Sequence, residues 1–157
     1  MKISLKFATE AVVELCFTDS PVARESTGDV IVDLNRKGNW IRGLEVLGSG
    51  NGVNLQKALA SLSPARPGAA VPQPQNKLTV TYDESADAGF LYLPYASPEK
   101  LHLASQQDPL LLKSSYSVED ESAVFGLDVD GSLVFIRFRV PSDKELEDFM
   151  ELFGSPA

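Results

Sequence analysis

The chain has 157 residues, 43% hydrophobic and 23% charged, a balance that folds into a soluble domain and excludes a wholly disordered chain. A net charge of -8 repels phosphate backbones and anionic membrane surfaces, which argues against nucleic-acid and membrane partners. A chain of this size buries roughly 70% of its unfolded surface, whereas half of it buries only about 60% and is marginal alone. The single cysteine, Cys16, has no partner for an internal disulfide and reads as a small core residue in a reducing compartment.

The N-terminal residues alternate: Ile3, Leu5 and Phe7 on one side, Lys2, Ser4 and Lys6 on the other. Period two predicts a half-buried strand. Residues 11–17 predict a second strand with Val13, Leu15 and Phe17 on one face, ended by Thr18-Asp19-Ser20-Pro21. Residues 29–34 and 40–47 predict an antiparallel hairpin across Asn35-Arg36-Lys37-Gly38, with Trp40 in the core. The loop Gly48-Ser49-Gly50-Asn51-Gly52 precedes a short helix capped by Asn54, whose Leu55, Ala58, Leu59 and Leu62 form one stripe. That loop lacks the lysine of a phosphate-binding loop and reads as a connection.

Residues 61–76 hold four of the ten prolines and no hydrophobic period, which predicts an extended linker of roughly 50 Å reach. Within it Pro64-Ala65-Arg66-Pro67 spells a P-x-x-P segment. The strand pattern then resumes at 78–82 and 90–93, around the turn Asp83-Glu84-Ser85. An irregular insertion occupies 94–109, and 110–117 predicts an edge strand. Residues 123–128 and 132–140 predict a hairpin across Asp128-Val129-Asp130-Gly131, where Asp-Gly between apolar runs is a strong turn signal. A last helix is predicted after Pro141, opened by the capping box of Ser142 and Glu145 and carrying Leu146, Phe149, Met150 and Phe153 at helical spacing.

Each half therefore reads strand, strand, hairpin, helix. The expected fold class is α+β, predominantly antiparallel β, with two related units packed by pseudo-twofold symmetry. The units are residues 1–62 and 77–157, joined by the linker at 63–76. Tyr82-Asp83-Glu84-Ser85-Ala86-Asp87-Ala88 resembles the Y-D-x-E-x-D-A opening of the bacterial domain-of-unknown-function family 2283. Val30-Ile31-Val32-Asp33, followed by Gly38 and Gly43-Leu44-Glu45-Val46-Leu47, resembles that family's second signature. The other copy of each is degraded: Phe7-Ala8-Thr9-Glu10-Ala11 in the first half, about two residues shorter, and Ala123 to Val140 in the second. The resemblance implies tandem small β-rich units and carries over no catalytic residue.

Chemistry-bearing residues are sparse. Asp83 and Asp87 could together hold a cation or act as an acid–base pair, or else shape the turn between two strands through local amides. Asp128-x-Asp130-Gly131 opens like a calcium loop, but its twelfth position is Arg139. His102, the only histidine, stands in the insertion without a nucleophile elbow. Arg137 and Arg139, interleaved with Phe135 and Phe138, could bind single strands, but alternation places Val134, Ile136, Phe138 and Val140 inward and the arginines in water.

The expected function is a non-enzymatic binding or accessory module in the cytoplasm, with a protein partner or self-association and with the insertion at 94–109 available for a partner. No cofactor, metal or catalytic residue is expected. The alternative is a small-molecule or cation-binding enzyme using the carboxylates near Asp83 and Asp87.

Overall fold

The computed structural model describes residues 2–7, 10–35, 41–48, 53–62, 78–93 and 115–141. Trp40, His102, the linker, the insertion and the predicted C-terminal helix lie outside them.

Among the described residues eight strands form one sheet. In chain order they are β1 (Lys2–Phe7), β2 (Glu10–Cys16), β3 (Arg24–Asn35), β4 (Ile41–Leu47), β5 (Thr79–Asp83), β6 (Ala88–Tyr92), β7 (Ser115–Leu127) and β8 (Leu133–Pro141). Helix α1 (Leu55–Ala60) falls between β4 and β5. Every pairing is antiparallel. The expected antiparallel β architecture is therefore present, while the helical share of the described residues is one six-residue helix.

The strand order is β1-β2-β8-β7-β3-β4-β6-β5. Consecutive strands form the hairpins β1–β2, β3–β4, β5–β6 and β7–β8. The hairpins of one half are not neighbours: β8 and β7 separate β2 from β3, and β4 and β3 separate β6 from β7. The two halves meet along three seams, β2–β8, β3–β7 and β4–β6. The longest runs from Arg24↔Leu127 to Asn35↔Ser115 through the middle of the sheet.

Alternation sets the two faces. Val13, Leu15, Val30, Val32, Leu44, Val46, Val80, Leu91, Phe125, Leu127, Ile136, Phe138 and Val140 are all buried on the inner face. Helix α1 covers the β5–β6 end of that face. Asn54 caps it by accepting from the Lys57 amide at 3.2 Å, and Leu55, Ala58 and Leu59 are its buried residues. Leu59 sits so close to Gly89 that a Cβ there would lie 2.3 Å from its Cδ1. Gly89 lets the helix rest directly on β6.

Three local features shape the ladders. The β3–β4 register slips between Asp33 and Leu34, so that Arg42 is an extra residue just inside the turn. The β7–β8 register slips between Gly126 and Leu127, with Val134 as the extra residue. A third bulge lies between Gly28↔Ala123 and Val30↔Asp120 on the β3–β7 seam, where β7 carries one residue more than β3. The turn 128–131 follows the Asp-Gly expectation. Asp128 and Ser132 pair across it, Gly131 donates to the Asp128 carbonyl, and Gly131 has φ +82°.

Two expectations are revised. Residues 115–117 do not form a strand of their own; they open β7, and there they pair with β3, the β8 pairs of β7 beginning at Val124. The first hairpin turn is shorter than its counterpart by one residue and not by two, since Phe7↔Ala11 enclose three residues where Asp83↔Ala88 enclose four.

Candidate functional site: the carboxylates of the turns and seams

The β5–β6 turn holds the pair singled out from sequence. Asp83, at the end of β5, turns its carboxylate onto the following residues. Its Oδ1 accepts from the Ser85 amide at 3.0 Å, the Ser85 hydroxyl at 2.7 Å and the Ala86 amide at 3.4 Å. The Ser85 hydroxyl, then the Ala86 amide, hold its carboxyl below the usual carboxylate value. This is a side chain folding its own turn.

Asp87 is engaged differently. Its backbone is left-handed, with φ +47°, a conformation that aspartate tolerates better than most residues. Its Oδ1 accepts from the Tyr82 hydroxyl at 2.6 Å. That hydrogen bond, followed by burial and the negative charge of Asp87, pushes the Tyr82 hydroxyl up to about 12. The carbonyl of Asp87 accepts from the Gly48 amide at 2.9 Å. A Cβ at Gly48 would lie 2.5 Å from Asp87 Oδ2, so a larger residue there would push the Asp87 carboxylate aside. Thus Asp87 ties the end of β4, in the first half, to the turn of the second half.

Asp120 was not singled out from sequence. It is 9% exposed and stands at the β7 bulge, opposite Val30 on the inner face. Its Oδ1 accepts from the Ser122 amide at 2.9 Å and hydroxyl at 2.8 Å, and its Oδ2 accepts from the Arg139 amide at 2.8 Å. The paired residues of β7 and β8 begin only at Val124↔Arg137. The carboxylate therefore supplies the acceptor for Arg139 where the bulge has carried β7 out of register.

Across the β2–β8 seam, Arg137 Nε and Nη2 donate to Glu14 Oε2 at 2.9 and 2.8 Å. The Arg137 guanidinium carbon lies 5.0 Å from the centroid of the Phe135 ring. The Cys16 thiol is 3.4 Å from Glu14 Oε1. The basic-strand expectation is half met: Arg139 is exposed, Arg137 is half-buried against Glu14, and Ile136, Phe138 and Val140 are core. Phe135 is itself buried, its ring lying over Gly126.

On the β3–β4–β6 part of the outer face, burial and then the charges of Asp33 and Glu45 raise the Tyr92 hydroxyl above its usual value. Among the described residues no three histidine, cysteine, aspartate or glutamate side chains come together as metal ligands, and no helix is long and apolar enough to cross a membrane. Asp128 accepts from the amides of Asp130 and Ser132, both at 2.9 Å, so it too serves its own turn. Comparison with protein-family models, curated proteins and solved structures gives no match to this chain.

Proposed function

We propose that this chain is a non-enzymatic binding or accessory module built from two tandem units of the kind seen in domain-of-unknown-function family 2283. One observation carries the non-enzymatic reading. The carboxylates best placed for chemistry each serve the fold: Asp83 Oδ1 accepts from Ser85 and Ala86, Asp87 Oδ1 accepts from Tyr82, and both oxygens of Asp120 are taken by Ser122 and Arg139. Turn- and strand-holding roles are what the accessory reading expects of them.

The tandem reading draws support from the pairing pattern. Exchanging β1, β2, β3 and β4 for β5, β6, β7 and β8 reverses the strand order onto itself. The two long hairpins bulge at matching places, with Arg42 answering to Val134. On the central seam the exchange carries Gly28↔Ala123 onto Val30↔Asp120, across the single extra residue of β7. A pseudo-twofold axis through the middle of β3–β7 accounts for all three.

The rival enzyme reading places a cation or small molecule at Asp83 and Asp87. Calorimetric titration of the full chain with Ca²⁺ and Mg²⁺ separates the two. The accessory reading expects no saturable heat that depends on these residues. Stoichiometric binding abolished by both Asp83→Asn and Asp87→Asn would overturn it.

A further inference from the structure

We infer that the Glu14–Arg137 pair selects which halves join across the seams, so that residues 1–62 take residues 77–157 and not the like half of a second copy. The inference rests on the twofold reading above. Under that reading Glu45 and Arg137 occupy matching places, each two residues beyond the residue that follows the bulge, Gly43 and Phe135. Their partners across the seams, Phe90 and Glu14, match in turn.

If like halves of two copies joined, the same registers would set Glu14 of one chain opposite Glu45 of the other, twice over by symmetry. Like charges directly opposite in a sheet destabilise it. The native seam replaces that repulsion with a charge-assisted contact at 2.8 Å.

The apolar positions separate the two pairings less simply. Leu44 matches Ile136 and Leu15 matches Leu91, near in volume, whereas Val46 matches Phe138 and Val32 matches Phe125, which differ in size, and all are buried. Packing therefore adds to the choice that the charge makes. The partner being refused is therefore the like half of a second copy of this chain. The linker favours the closed monomer through effective concentration, and the charge adds to it where copies are crowded.

The test uses the full chain, refolded from denaturant over a range of concentrations, with mass read by light scattering. E14R places like charges across the native seam and opposite charges across the like-half seam. Its dimer fraction rises about tenfold over the parent, the scale of two exposed charge pairs changing sign. E14R/E45R restores repulsion between like halves without repairing the native seam. It returns to monomer while its stability stays as low as that of E14R. E45R leaves the native pair intact and raises the dimer fraction by itself, so it decides the matter should E14R not fold. Equal dimer fractions in E14R and E14R/E45R, or monomer throughout in both E14R and E45R, overturn the inference and leave Glu14–Arg137 a simple brace. Failure of the twofold reading looks different: cutting the linker then releases halves that stay folded apart.

Discussion

Asp120 makes its hydrogen bonds at a bulge, and Tyr82 makes its own beside a turn. Replacing Asp120 with alanine removes the acceptor from two part-buried hydrogen bonds, to the amides of Ser122 and Arg139, and a bond to a charged group is worth about 1.5–3 kcal/mol. D120A should lower the unfolding free energy by about 2–4 kcal/mol in denaturant titrations, with D120N intermediate. The Tyr82 hydroxyl sits above its ordinary 10.0, at about 12, in the folded protein. A raised value means that the contribution is whole below pH 10 and is lost as pH climbs through about 12. Tyr82→Phe should cost about 1 kcal/mol at pH 8 and flatten the alkaline limb of the stability profile. An unchanged alkaline limb would deny the Tyr82–Asp87 bond its role. Asp83 has the opposite sign: its depressed value adds stability above the unfolded carboxylate range, lost as pH falls through the folded value.

At the scale of elements, the helix and the hairpins follow from local chemistry. Asn54, with Leu55, Ala58, Leu59 and Leu62 behind it, was legible as a capped amphipathic turn, and all four apolar residues are buried. Gly89→Ala should cost about 1–3 kcal/mol by thermal or chemical unfolding, because the buried Leu59 side chain must repack. Strands with clean alternation were found within one or two residues of their ends. The misses share a cause. Residues 24–28, Arg-Glu-Ser-Thr-Gly, carry no strand pattern, yet they extend β3 because β7 pairs with them from Arg24↔Leu127 to Gly28↔Ala123. Residues 115–122 are polar and hold a bulge, so β7 reads as two pieces although it is one strand of thirteen residues. Partners distant in sequence, and not local propensity, decide such segments. The same holds for sites. The turn role of Asp83 was legible from its spacing to Ser85 and Ala86. Asp120 has the same spacing to Ser122, but its Arg139 partner arrives from another strand and nothing local marks it.

For the whole molecule, the interleaved strand order is the consequential feature. Removing either half would leave the other as two hairpins with no sheet between them, and an isolated two-stranded hairpin is marginal in water. Most strands of each half were legible in the sequence. That the two halves would interlock, instead of forming two small sheets side by side, was not, because local alternation does not say which strand edges meet. The account's central claim is that the halves complete one another's sheet. Its most direct measurement is to place a specific protease site within residues 63–76, cut the folded protein and determine the mass and circular dichroism of what remains. The interleaved sheet predicts one particle holding both fragments, unfolding in a single transition with all strand signal lost together. Two fragments that separate under native conditions, each keeping its own strand signal, would contradict it.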